Sequence, residues 1–339
     1  MLAGVMRIAQ WDPADEKTAR ACHEIMVAAQ AVDDPVEPPI SYGPFRFFFR
    51  EGWDKTPCET WVASGDDGTV TGYYRISLPD LENLDRASGE PTVHPAFRRR
   101  GIGRELLRHA GGRAAAHGRS LFGASVAAGA DGDAFARAVG ARLDLEEVRR
   151  IQYLRQIPPG TIAAVRATAE KAAAGYSLVS WAGDIPDEYR GPIAGVLNAF
   201  ADAPHGENEE PEVWDADRVR ERAGILVRAG LMRSYNVAAL SDSTGEMTAW
   251  TEVIVDPGTP QWGYQQLTAV VRTHRGHRLG LLVKVAMLEL LASAEPELEF
   301  IQTGNAAVNQ HMIAVNEQLG YRVVEPGWAH YEMPVPAMR

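Results

Sequence analysis

Cysteine is nearly absent from this chain: Cys22 and Cys58 are the two among 339 residues. They form no C-x-x-C pair and have no histidine cluster beside them. That excludes a disulfide framework and a sulfur-rich zinc site, and leaves buried free thiols as the expectation. Long uninterrupted apolar runs are missing too, so no membrane-spanning helix is expected. The opening Met1-Leu2-Ala3-Gly4-Val5-Met6-Arg7 lacks the apolar core of a secretory leader, and cytoplasmic residence is the expectation. Positive charge is in deficit: 34 Lys and Arg against 45 Asp and Glu leave a net charge of −11. General nucleic-acid binding needs a phosphate-neutralising basic surface, so this balance argues against it and suits a cationic partner. A content of 45% hydrophobic and 23% charged residues is that of a folded globular protein.

One kind of turn occurs twice. Val93-His94-Pro95-Ala96-Phe97-Arg98-Arg99-Arg100-Gly101-Ile102-Gly103 and Val270-Val271-Arg272-Thr273-His274-Arg275-Gly276-His277-Arg278-Leu279-Gly280 each follow an extended segment and open a helix. A glycine-containing turn at a helix start leaves backbone N–H groups unpaired, with the positive end of the helix behind them, and so forms a pyrophosphate cradle. Arg98 and Arg275 stand 177 positions apart, close to half the chain, which reads as two copies of one domain. The length fits two domains better than one core.

The rest of the chain supports the duplication. A helix over 18–29 and a hairpin over 59–64 and 70–76, turned by Asp67-Gly68, precede the first cradle. After it come a helix over 104–116, a strand over 120–127, a short helix over 135–141 ended by glycine, and a strand over 149–157. Pro158-Pro159-Gly160 breaks the pattern, and the alanine-rich stretch 161–174 reads as a linker helix. The expected division is therefore 1–158, linker 159–175, and 176–339. In the second half a strand over 176–181, helices over 193–200 and 217–229, hairpin strands over 234–241 and 246–255, and a strand over 265–271 lead to the second cradle. Its helix, 279–292, is apolar nearly all round, so burial on several sides is expected. A strand over 300–303 follows.

This ordered set, together with Asn305-Ala306-Ala307-Val308-Asn309 and Gln318-Leu319-Gly320-Tyr321, resembles the GCN5-related N-acetyltransferase (GNAT) superfamily in tandem form. In plan it is similar to mycothiol synthase and other actinobacterial two-domain acetyltransferases, a similarity that does not fix the acceptor. The resemblance implies an α/β fold of two tandem GNAT domains, each a mixed sheet splayed between two strands and flanked by helices, with acetyl-CoA in the wedge. It implies that Val270 and Val271 pair with the pantetheine, that the amides of Arg275, Gly276, His277, Arg278, Leu279, Gly280 and Leu281 hold the pyrophosphate, and that Asn305 and Asn309 lie near the cofactor. In the first copy Val93, Arg98, Arg99, Arg100, Gly101, Ile102, Gly103 and Arg104 correspond. Arg278 stands where the family has its third turn glycine, which puts a left-handed backbone there in question. The tyrosine that often protonates the leaving thiolate is missing from both copies, Asn316 and Ala136 standing at its position.

Glu252 is the leading candidate for the general base, on the strand beside the cradle strand; the alternative is an ion-paired surface glutamate. Histidines 274, 277 and 311 fit phosphate contact or solvent exposure better than base work. Tyr264, Gln265, Asp202 and His205 are candidate acceptor contacts, and the acidic run 207–212 either draws in a cationic amine or is a solvated loop. Phe47, Phe48, Phe49 and Trp53 either line a pocket or complete a core. The expected activity is acetyl transfer from acetyl-CoA to a primary amine of a small, cationic molecule by direct attack, with no nucleic-acid or membrane partner and a monomer preferred over a homodimer. The second half, with Glu252 and Asn309, is the expected catalyst. The alternatives are a catalytic first half, or a non-catalytic protein that binds acyl-CoA.

Overall fold

The computed structural model describes residues 6–52, 54–200, 209–306 and 309–338. β1 (Arg7–Gln10) leads into α1 (Glu16–Asp33), whose start is fixed by the Asp15 carboxylate accepting from Lys17 N at the positive end of the helix. α2 (Tyr42–Glu51) follows, then the hairpin of β2 (Cys58–Ser64) and β3 (Val70–Ser77). β4 (Arg86–Gly89) and β5 (Thr92–Val93) run to the first cradle and α3 (Ile102–Ala116). Next come β6 (Leu121–Ala127), α4 (Asp131–Ala138) and β7 (Arg142–Tyr153), the last beginning seven residues before its expected start.

α5 (Thr161–Ala172) and β8 (Tyr176–Ala182) open the second series. After α6 (Asp187–Phe200), α7 (Ala216–Arg222) and α8 (Ile225–Arg228) come three successive antiparallel strands, β9 (Arg233–Ser241), β10 (Met247–Val255) and β11 (Trp262–Val270). The second cradle and α9 (Leu279–Ala294) are followed by β12 (Phe300–Ala306), α10 (Gln310–Gln318), β13 (Tyr321–Val323) and β14 (Trp328–Pro334).

The chain forms two compact units that are not consecutive in sequence. The first takes the chain up to 147 together with 209–210 and 325–338; the second takes 148–200, 211–306 and 309–324. This differs from the division expected at 158 and 175. The stretch read as a linker packs instead into the second unit, because Ala169 and Ala173 present a small, smooth stripe to the core that α9 builds. The last strand, β14, belongs to the first unit, where it lies between β6 and β7 and turns Ala329, Tyr331 and Met333 inward.

Within the first unit the strands run β1-β2-β3-β4-β6-β14-β7, antiparallel except where β4 meets β6. Within the second they run β7-β12-β11-β10-β9-β8, with β11 meeting β12 in parallel, and β13 pairs with residues 150–152 of β7. Each sheet is thus mixed and carries helices on both faces. In the first unit α3 contributes Leu106, Leu107 and Ala110 to one core, while α1 and α2 cover the other face with Phe45 and Phe49 against Tyr73. Phe49 completes that core and Phe48 packs against it; Trp53 lies outside the described residues. In the second unit α9 is buried on nearly all sides, so cutting Leu282 or Leu291 to alanine costs about 2–5 kcal/mol. Cys22 is buried, whereas Cys58, at the start of β2, is only half-buried, its thiol donating to Phe49 O at 3.7 Å.

Candidate functional site

The two cradles match bond for bond. The residue after each strand gives its amide to the neighbouring strand: His94 N to Thr71 O at 3.0 Å, and Val271 N to Thr248 O at 2.9 Å. Antiparallel alternation then turns the amides of Val93 and Val270 the other way, toward the parallel junction of their own unit. A 3₁₀ turn follows in each copy, Pro95–Phe97 and Arg272–His274. The next residue, Arg98 or Arg275, folds back so that its Nε donates to Val93 O at 3.2 Å or to Val270 O at 3.3 Å. The signature arginine thus braces the turn against its own strand.

Each turn contains two left-handed residues. They are Arg99 (φ 61°) and Gly101 (φ 86°) in the first copy, and Gly276 (φ 91°) and Arg278 (φ 54°) in the second. One of each pair is glycine, in opposite order. The doubt raised by the missing glycine at 278 is answered: Arg278 stays left-handed, at a cost of about 1–2 kcal/mol relative to glycine's freedom. Neither Gly101 nor Arg278 caps its helix with a side chain, and the first bonds inside α3 and α9 are Glu105 N to Gly101 O and Leu282 N to Arg278 O. The amides of Ile102, Gly103 and Arg104, and of Leu279, Gly280 and Leu281, precede those bonds and have no partner within their helices. Leu279 and Leu281 bury their side chains, so only their backbone serves the cradle. Such a row of amides at a positive helix end fits a pyrophosphate.

The surroundings differ. In the first cradle Asp33 holds Arg98 through two bonds of 2.6 and 2.7 Å, and Asp131 adds a third at 3.1 Å. Arg100 donates to Ala96 O and lies over Phe97, while Arg99 and Arg104 are exposed. Around the second cradle, Tyr176 Oη and His274 Nδ1 are 2.9 Å apart, and the His277 ring packs on Tyr176 with centroids 5.3 Å apart.

Beyond the cradles, both parallel junctions are short. β11 pairs with β12 only over Trp262–Tyr264 and Phe300–Gln302, although both strands run on; β4 pairs with β6 only over Arg86–Ser88 and Leu121–Gly123. That is the splay from which a wedge follows. Where β11 leaves β12, it carries a bulge, Gln266 being the extra residue between Gln265, opposite Val253, and Leu267, opposite Glu252. Gln265 Nε2 lies within hydrogen-bonding distance of Thr251 Oγ1, Glu252 O and Leu267 O, at 2.6–2.9 Å. Gln265, a candidate acceptor contact, closes the bulge from inside, because the extra residue strips the ladder of partners there.

Glu252 faces the α6 side of the sheet and is half-buried. A chain of bonds ends on it: Trp250 Nε1 donates to Asn236 Oδ1 at 3.0 Å, Asn236 Nδ2 to Ser234 Oγ at 2.8 Å, and Ser234 Oγ to Glu252 Oε1 at 2.7 Å. Burial pushes the Glu252 carboxyl above the usual carboxylate range, and the serine bond pulls partly against it. Counting back 177 along the matching strand, Arg75 of β3 occupies this position in the first unit. It is buried, holds Ser77 Oγ and Thr56 O, and lies over Phe48. A guanidinium there cannot accept a proton.

Across the junction, Asn305 Oδ1 accepts from Asn316 Nδ2 at 2.8 Å, and Asn316 Oδ1 accepts from Lys284 Nζ at 2.8 Å. Asn309 caps α10, its side chain accepting from Met312 N at 3.3 Å. Tyr264 lies on the paired part of β11, opposite Ile254 and Gln302. Asp202 and His205 lie outside the described residues. Of the acidic run, Glu210 belongs to the first unit, where it accepts from Asn83 N at 3.0 Å. Arg75, Ser234 and Lys284 belong to no local motif; only the spacing of 177 sets the first opposite Glu252 and the last opposite Leu107.

With this geometry in place, four likenesses bear on it. Residues 56–136 match the family model described as an acetyltransferase (GNAT) domain. Over 291 residues the chain is 30% identical to the mycothiol acetyltransferase of Tsukamurella paurometabola, covering 84% of this chain and 87% of that protein; with the mycothiol acetyltransferase of Salinispora tropica it shares 28% over 283 residues, 78% of each. Among solved structures it is similar to a tandem GNAT protein from the clavulanic acid biosynthesis pathway, with a TM-score of 0.81, 29% identity, and coverage of 98% and 99% of the two chains.

Proposed function

Because the chain belongs to the tandem GNAT acetyltransferases, and so is an N-acetyltransferase that uses acetyl-CoA, we propose that its second unit performs the transfer, to a primary amine of a small cationic molecule. One observation carries the choice of unit: Glu252 stands beside the bulge in the second unit where Arg75 stands in the first. A carboxylate whose proton affinity burial raises takes a proton from an ammonium, through water or directly; a guanidinium does not.

Acetyl-CoA supplies the acetyl group as a thioester. In this reading the unpaired amides of Arg278 to Leu281 bind its pyrophosphate, and the Val270 amide, turned off β10, donates to the oxygen on which charge develops. Glu252 takes the amine's proton, the N–C bond forms, and the C–S electron pair leaves with sulfur. The overall charge of −11 favours a cationic acceptor at long range.

A reversed assignment also has an observation behind it, since the family match covers 56–136 in the first unit and Arg98 to Gly103 keeps the third turn glycine. Both readings meet one experiment: radiolabelled acetyl-CoA is incubated with glucosamine, spermidine, lysine and a cysteinyl glycoside, using wild type, Glu252→Gln and Gly103→Glu. Turnover that survives Gly103→Glu and collapses in Glu252→Gln supports the second unit; the opposite pattern overturns it.

A further inference from the structure

Lys284 is an ionisable group in the core of the second unit that the reaction so far leaves without work. It sits on α9, the helix that carries the cradle, and is 3% exposed. Its Nζ donates to Asn316 Oδ1, and the Tyr321 ring lies 4.6 Å away. Asn316 passes a second bond to Asn305, which is half-buried on the part of β12 that runs past its pairing with β11. A hydrogen-bonded chain therefore leads from a buried ammonium to the edge of the wedge.

The fold itself does not ask for a lysine there. The corresponding residue of α3 is Leu107, buried in the first unit's core, and Ala136 stands in α4 where α10 has Asn316. A leucine would also be the more stable choice, since an ammonium taken out of water costs far more than one hydrogen bond returns. Burial pushes Lys284 down to about 7. On neighbouring elements Arg233 and Tyr235 bind Glu295, Arg166 binds Glu170 and Glu289, Lys171 and Glu317 are exposed, and Glu252 faces the opposite side of the sheet. An unhelpful residue kept in a core points to function rather than folding.

We propose that Lys284 is a positioning residue that, through Asn316 and Asn305, favours negative charge on the sulfur of the departing CoA. This rests on the second unit being the working site. No proton passes along the amides. The ammonium polarises the Asn316 carbonyl, Asn316 Nδ2 becomes a stronger donor to Asn305, and the Asn305 amide in turn becomes a stronger donor toward the wedge. The C–S bond breaks with both electrons going to sulfur, which leaves as thiolate, while the amine's proton goes to Glu252. Polarisation by Lys284 takes the place of the absent tyrosine's proton.

The test uses CoA itself, with no amine. In a Gly103→Glu background, the ultraviolet absorbance of the bound thiolate is followed against pH, relative to CoA-free protein, for the Lys284 form, Lys284→Met and Asn305→Ala. Below about pH 7, where Lys284 carries its charge, the thiolate fraction is expected to be roughly tenfold larger with Lys284 and Asn305 both present than in either variant, and the difference is expected to vanish as pH rises above that value. CoA affinity at low pH stays within about twofold, and Lys284→Met melts at or above its parent. Should Lys284→Met fail to fold, Asn305→Ala, at the half-buried end, still cuts the chain. Identical thiol titrations in all forms overturn the inference and leave the catalytic assignment standing; failure of the Gly103→Glu parent to bind CoA overturns the assignment, and the inference with it.

Discussion

Replacing Glu252 by glutamine keeps the shape of the side chain and an oxygen for Ser234 Oγ to bond, but removes the group that takes up a proton. Loss of a positioned base of this kind costs about 10²–10⁴-fold in turnover. The pH dependence is the sharper readout. Burial raises the Glu252 carboxyl above 4.5, and only the ionised form accepts a proton. Log kcat/KM of wild type should therefore climb with pH through that raised value and then level, whereas the climb is absent from Glu252→Gln. Stability moves the opposite way. A carboxyl whose folded value exceeds its unfolded one favours the folded state at low pH, and that contribution is lost as pH rises from about 4.5 through the folded value. Glutamine carries no such loss, so the variant should match wild type in melting temperature in acid and exceed it at neutral pH. Stopped assays of acetyl transfer across the pH range, with thermal melts at the same values, measure both. An unchanged pH profile, with turnover within about threefold of wild type, would refute the role of Glu252 as base.

Calorimetric titration with acetyl-CoA should lose the second site in Gly280→Glu, because a Cβ at 280 already lies 3.6 Å from Val270 Cγ2 and a carboxylate beyond it meets the cradle amides; Gly280→Ala should bind normally. Gly101→Ala should cost about 1–2 kcal/mol by thermal denaturation, from its φ of 86° alone, since the added Cβ meets nothing within 4 Å. Asn309→Ala should lower stability by about 1 kcal/mol through loss of the α10 cap; an activity loss no larger than that shift explains would place Asn309 in structure rather than chemistry. Asp33→Asn, which withdraws a carboxylate from Arg98, should strengthen acetyl-CoA binding to the first cradle in a Gly280→Glu background, and an unchanged affinity would remove Asp33 as the reason that cradle differs.

Much of the fold was legible because its signals are local. A helix start, an Asp-Gly turn and a glycine stop act within a few residues, so the two cradles, the β2–β3 hairpin and the apolar α9 were readable one at a time, and their spacing gave the duplication. The division of the chain was not, since nothing in β14 announces which sheet it will join; its alternating Ala329, Tyr331 and Met333 fit any half-buried strand. The left-handed Arg278 was likewise beyond propensity, which favours glycine there, and the rest of the turn holds it in place.

The sequence by itself determined that this chain carries the same helix-opening turn twice and is an α/β protein built twice over, because such turns are written in adjacent residues. Only the tertiary structure decided what surrounds each cradle. Glu252 meets Ser234, and Arg75 meets Thr56 and Ser77, through strand register, while Lys284 reaches Asn305 through a helix, a second helix and a strand that are distant in sequence. Partners of that kind are set by packing, which no short stretch of residues encodes.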